Sequence, residues 1–117
     1  MLYDFVLPKE NRLKKNAEFQ SVYKKGDFFG TKLINFKYKK NGLPYTRVGF
    51  VVSTKISKSA VKRNGLKRMI CEIFRLNLDK IKAEYDIVVI TKPGITDLKH
   101  KDIEKDVMFF LKKTKLM

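Results

Sequence analysis

The spacing of apolar residues changes period several times along the chain. Between Asn16 and Lys25, Phe19, Val22 and Tyr23 recur at helical spacing; Asn16 stands where an N-cap belongs and Gly26 can end the run, so a short helix is expected. Asp27 to Gly30 reads as a brief strand. From Lys32 to Lys40 the period drops to two, with Ile34, Phe36 and Tyr38 on one face and Leu33, Asn35 and Lys37 on the other. Asn41-Gly42 signals a turn, and Thr46 to Ser53 alternates again with Val48, Phe50 and Val52 on one side. These two strands are expected to pair as a hairpin. A longer helix is expected from about Ser59 to Leu78. Tyr85 to Thr91 is apolar on both faces, which predicts a central strand, and Lys92-Pro93-Gly94 breaks it. The last helix, Lys99 to Lys113, places Ile103, Val107, Phe110 and Leu111 in one stripe, although no good capping residue stands at its start. The chain therefore has seven short elements and no internal repeat.

The helix from Ser59 is the most informative stretch. Steps of about 100° put Leu66, Met69, Ile70, Ile73 and Leu76 on one side and Asn64, Lys67, Arg68, Cys71 and Arg75 on the other. From Lys55 to Arg75 there are seven Lys or Arg and one acidic residue. A solubilising helix face mixes charges at i,i+4, and this one does not. Such a stripe can neutralise closely spaced phosphates, and Asn64 and the forked Arg donors suit phosphate and base edges better than plain solvation requires.

The whole composition points the same way. In 117 residues, Lys and Arg number 27 against 12 Asp and Glu, for a net charge of +15. The basic residues are interleaved with a core pattern, so the charge belongs to a folded domain and asks for a polyanionic partner. Nucleic acid is favoured over a membrane surface. The longest apolar runs, such as Ile87-Val88-Val89-Ile90, are far shorter than a membrane span, and Met1-Leu2-Tyr3-Asp4 does not open a signal peptide, so a cytoplasmic protein is expected. One domain spans residues 1–117, with 1–11 expected as a loosely packed arm. A lone cysteine, Cys71, excludes an internal disulfide and any multi-cysteine zinc site.

Arg63-Asn64-x-x-Lys67-Arg68-x-x-x-Glu72 resembles the signature of the bacterial ribonuclease P protein family. It follows Ser53-Thr54-Lys55-Ile56 and Ala60-Val61, where that family has a Ser-Lys-rich loop. Arg12-Leu13-Lys14-Lys15-Asn16, Phe19-Gln20, Lys24-Lys25-Gly26, Arg47-Val48-Gly49 and Tyr85-Asp86-Ile87-Val88-Val89-Ile90 are similar to further family segments, so the resemblance runs from about Arg12 to Lys113. There are departures. Cys71 stands where the family usually has a third arginine, Gly65 occupies a helix interior, Tyr23 replaces a more usual Phe, and the loop Ile56 to Ala60 is one residue longer than the common form.

The resemblance implies an α+β fold in one domain: a four-stranded mixed sheet with three helices in the order α-β-β-β-α-β-α. It also implies a left-handed βαβ crossover, similar to the second domain of a small-subunit ribosomal protein. The implied function is that of a protein subunit assisting a catalytic RNA in 5′ maturation of precursor tRNA. In that reading Lys62, Arg63, Asn64, Lys67, Arg68 and Arg75 meet the RNA subunit. Phe19, Tyr23, Asn35, Lys37, Ser53, Lys55 and Lys92 line a cleft for the single-stranded 5′ leader, a monomer being expected in the holoenzyme. Aromatic stacking beside a cationic groove holds single strands with little sequence preference. The plain alternative for Phe19 and Tyr23, one helical turn apart, is core packing.

A catalytic site in the chain itself is not expected. Asp102, Glu104 and Asp106 are interleaved with Lys101 and Lys105 on a solvated helix, His100 is the lone histidine, and Cys71 has no histidine partner. The expectation is no metal or catalytic residue in the protein, with Mg²⁺ needed by the holoenzyme. Two other classes remain to be distinguished: a structural ribosomal protein, by which RNA co-purifies, and a protein-only nuclease, by cleavage without added RNA.

Overall fold

The computed structural model describes residues 7–117. Its elements are α1 (Asn16–Lys25), β1 (Asp27–Gly30), β2 (Ile34–Lys40), β3 (Arg47–Val51), α2 (Ala60–Asn77), β4 (Tyr85–Thr91) and α3 (His100–Lys113), with single 3₁₀ turns at Lys9–Asn11, Leu78–Lys80 and Ile95–Asp97. This is the α-β-β-β-α-β-α order expected, and the sheet is mixed.

The strands lie in the order β1-β2-β4-β3. The expected hairpin between β2 and β3 does not form. Instead β4 enters between them, antiparallel to β2 and parallel to β3. The strand that is apolar on both faces thus takes the centre, where both of its edges are hydrogen-bonded. The hairpin in this sheet joins β1 to β2, where Thr31 N–H donates to the Ile34 carbonyl at 2.8 Å.

Alternation along the strands sorts the residues into two layers. Ile34, Phe36, Val48, Val52, Ile87 and Val89 join Leu66, Ile70, Ile73 and Phe74 of α2 and Ile103, Val107, Phe110 and Leu111 of α3 in the main core. Phe110 stands at its middle, stacked on Phe36 with centroids 4.0 Å apart and met by Phe29 and Tyr38 at 5.7 and 5.5 Å. On the opposite face α1 covers a smaller cluster of Leu13, Val22 and Val88. Leu33 departs from the expected pattern. It precedes β2 and packs against the main core rather than lining the α1 face with Asn35 and Lys37.

Helix α2 is also turned from its expected setting. Leu66, Ile70 and Ile73 are buried as expected, but Phe74 and Asn77 complete the stripe while Leu76 is exposed. The i, i+4, i+7, i+8, i+11 series follows 3.6 residues per turn more closely than the expected stripe does. Ser59 caps this helix by accepting from Lys62 N–H at 3.2 Å. Asn16 is not the cap of α1. The Glu18 carboxylate takes that role, accepting from the backbone N–H groups of Lys14 and Lys15 at 3.1 and 3.0 Å. At α3, Asp102 likewise accepts from Lys99 N–H, which supplies the cap the sequence seemed to lack.

Of the arm expected over 1–11, residues 1–6 lie outside the described part. Of the rest, Pro8 to Glu10 are exposed, Leu7 is fully buried, and buried Asn11 donates from Nδ2 to the Thr46 carbonyl at 2.8 Å. Leu13 N–H donates to the Val48 carbonyl, so this segment covers part of the outer edge of β3.

Gly65 lies in the interior of α2, and a Cβ built there meets nothing within 4 Å. Gly65→Ala is therefore expected to stabilise the protein by about 1 kcal/mol. Urea unfolding followed by circular dichroism measures it.

Candidate nucleic-acid interface

The strand register lays two rows of side chains across the sheet on the α1 side. One runs Phe28, Lys37, Val88, Gly49; the next runs Gly30, Asn35, Ile90, Val51. Helix α1 crosses the first row. The Phe19 ring rests on Gly49 so closely that a Cβ there would come within 2.5 Å of it, which is why this position of β3 has no side chain. Val22 packs on Val88, and Lys37 Nζ donates to the Tyr23 carbonyl at 2.8 Å, placing a cation at the C-terminal end of the helix. The second row is left half-covered, with Asn35, Ile90 and Val51 all partly accessible.

An ion network fixes α1 in this position. The Arg47 guanidinium on β3 donates to both carboxylate oxygens of buried Asp86 on β4, at 2.9 and 2.7 Å, and to Glu18 in the first turn of α1. The backbone N–H of Lys15 holds the Glu18 carboxyl below its ordinary range, helped by Lys14 N–H and Arg47 against the opposing effect of burial. Arg47 is raised, chiefly by its hydrogen bond to Asp86. The residue after Glu18 is Phe19, so the network places the ring.

Beside Phe19 a groove of about 300 Å³ runs between the 12–13 segment, the edge of β3 and the polar face of α2. Asn64, Lys67 and Arg68 line it from α2, facing Arg12, Phe19 and Gly49. The two sets of candidate residues thus adjoin, with Phe19 at their junction. Lys62, Asn64, Lys67 and Arg68 are exposed, while Arg63 folds back to donate to the Ser57 carbonyl at 2.7 Å. Arg75 stands apart, paired with Glu72 on the same helix.

The leader-side residues divide in the same way. Phe19 and Tyr23 are both half-buried, their centroids 6.5 Å apart, so each has one side in the small core and one toward solvent. Burial raises the Tyr23 phenol above its ordinary value. Asn35 and Lys37 lie on the sheet face beside them. Ser53 and Lys55 are exposed in the turn after β3, where Ser53 Oγ accepts from Lys55 N–H. Lys92 extends from the end of β4 across the β1–β2 turn, donating from Nζ to the Thr31 carbonyl at 2.7 Å. Phe28 is not among the residues the sequence singles out, yet it lies on this face and is 60% exposed. Two adjacent aromatics in a strand must point to opposite faces, so Phe28-Phe29 carried the signal.

A cationic helix beside a half-open sheet face with paired aromatics defines a class of small basic α+β proteins. The chain belongs to the ribonuclease P family, whose model matches residues 7–115. A ribonuclease P protein component from Fusobacterium nucleatum is 45% identical over 112 residues, covering 92% of this chain and 99% of that protein. One from Alkaliphilus oremlandii is 40% identical over 92% of this chain and 93% of that protein. Among solved structures, a Staphylococcus aureus RNase P protein mutant with defective mRNA degradation activity superposes with a TM-score of 0.88 at 31% identity, covering 100% of this chain and 98% of that one. The Thermotoga maritima RNase P protein gives 0.80 at 31% identity, covering 87% and 96%.

Cys71 is less accessible than a surface stripe implies. It lines the groove but is half-buried against the main core, and burial pushes its thiol above the ordinary value of 9.0, although the Leu7 backbone and the Arg12 and Arg75 charges act the other way. The nearby cations therefore do not activate it. Alkylation of native protein at pH 8 is expected to be slower than of urea-unfolded protein, with the two rates converging as pH rises through the shifted value. Mass spectrometry of timed aliquots reads this.

Proposed function

We propose that this protein binds the catalytic RNA of ribonuclease P through the polar face of α2 and the 5′ leader of precursor tRNA across the half-open sheet, and so assists endonucleolytic tRNA maturation. The observation that carries this reading is the groove in which Phe19 faces Asn64, Lys67 and Arg68. It joins a phosphate-neutralising surface to a stacking surface without a break, as a protein bridging two RNA strands requires.

The chemistry in this reading lies with the RNA, and Mg²⁺ serves the holoenzyme. Several carboxylates of this chain have structural partners: Glu18 and Asp86 hold Arg47, Glu72 holds Arg75, and Asp102 caps α3. Among the described residues no three His, Cys, Asp or Glu side chains gather as a metal site. The protein acts by positioning: cations of α2 bring the RNA subunit against the sheet, and the aromatics hold the leader beside it. No helix among the described residues is long and apolar enough to cross a membrane. A monomer in the holoenzyme completes the proposal.

Lys67 is exposed on the groove wall. Lys67→Ala is expected to weaken binding to the RNA subunit and to make the plot of log K against log salt shallower by about 0.7–0.9, the value of one phosphate contact. Filter binding across a salt series measures the slope, and an unchanged slope in folded protein moves the interface off α2.

Reconstituted with its RNA at low Mg²⁺, the protein should accelerate cleavage of precursor tRNA and favour substrate with a leader several nucleotides long over mature tRNA. Phe19→Ala should lose about 1–3 kcal/mol of that preference, provided thermal melting shows an intact fold. Acceleration without any dependence on leader would refute the cleft assignment, and co-purification with ribosomal RNA alone would point to a ribosomal scaffold.

A further inference from the structure

The row that α1 crosses has an aromatic at its far end, on β1. Phe28 lies on edge strand β1, three strands away from Gly49, directly across from Lys37 in the β1–β2 register. Its neighbour Phe29 turns to the opposite face and packs with Phe109 and Phe110. Among the described residues no ring packs on Phe28, which remains 60% exposed. A large apolar side chain left in water at a sheet edge is costly unless something covers it.

The setting of the ring indicates what covers it. A Cβ built on Gly30 would lie 3.1 Å from the Phe28 ring tip and 3.1 Å from Asn35 Oδ1. The ring edge and the amide oxygen therefore flank one position, which the glycine leaves without a side chain. Asn35 Oδ1 is buried there and has no hydrogen-bond partner among the described residues. Lys37 and Lys92, both on this face, supply positive charge nearby. An exposed aromatic face with flanking cations matches the base and phosphate of one nucleotide in a single strand.

Resting on the leader-binding reading above, we propose that Phe28 is a third stacking platform of the cleft and holds one leader base beyond the reach of Phe19 and Tyr23. Every base offers a π-face, so the contact orders the strand without selecting a sequence. The leader then runs across the sheet from β3 to β1, over about 14 Å of strand spacing.

The test uses the reconstituted holoenzyme and precursor tRNAs whose leaders lengthen one nucleotide at a time. For wild-type protein, affinity should step up at the leader length that first reaches Phe28. Phe28→Ala should remove that step, a loss of roughly tenfold, while leaving shorter leaders and mature tRNA unchanged; Phe28→Tyr should keep it. An abasic nucleotide at the same leader position should cost the wild type a similar factor and cost Phe28→Ala almost nothing. Identical leader-length curves for wild type and Phe28→Ala overturn the proposal, as does an equal loss on mature tRNA. So does a change in the sedimentation of free protein with leader binding intact, which would assign the ring to a second copy of the chain. A wild-type curve with no dependence on leader length sinks the leader reading itself, and is distinguishable because it does not involve the variant.

Discussion

The arrangement of this molecule depends on the requirements of β4. A strand of Tyr-Asp-Ile-Val-Val-Ile-Thr has apolar side chains on both faces and backbone groups along both edges, all of which must be removed from water together. Pairing with β2 on one side and β3 on the other satisfies the edges. Helices α2 and α3 cover one face with the Phe36–Phe110 stack at its centre. The other face needs cover only over Val88, and α1 provides it. The uncovered remainder is the half-open row of Asn35, Ile90 and Val51, so the cleft is a consequence of covering a two-sided strand with one short helix.

Asp86 links this central strand to the functional surface. It is the one charged residue of β4, and its burial is tolerable because Arg47 engages both carboxylate oxygens and Asn41 donates to it as well. Arg47 then reaches Glu18, whose carboxylate also caps α1. One guanidinium thereby joins the central strand, the edge strand and the helix that carries Phe19 and Tyr23. Gly49 fixes the height of Phe19 above the sheet, since any side chain there would lift the ring. The aromatics are set by a partly buried ion network on one side and a missing Cβ on the other, and a mobile single strand would meet a rigid platform.

The polar side chains around this platform are not all placed alike. Lys62, Asn64 and Lys67 reach solvent along α2, whereas Arg63 and Arg75 have partners inside the protein. The arginines of α2 are therefore not equivalent: Arg63 steadies the loop before the helix, and Arg75 would have to leave Glu72 to meet a phosphate. Cys71, half-buried at the groove wall, leaves a space in this row of cations that a longer basic side chain would fill.

The local patterns were sufficient to find every helix and strand of the described chain, the central place of β4, the cationic side of α2 and the stripe of α3, because each of these follows from the spacing of apolar residues along a short segment. The pairing of β2 with β4 rather than β3 was not legible, since alternation says which face a residue takes and not which strand lies beside it. Phe74 is buried and Leu76, expected in the core stripe, is exposed, because the core stripe drifts around a long helix and only the position of the sheet sets its phase. The adjoining of Phe19 with Asn64 and Lys67, and the exposure of Phe28 near Asn35, were likewise decided by tertiary structure. These residues are brought together by strand order and by the Arg47 network, which act over separations in sequence that no local pattern spans.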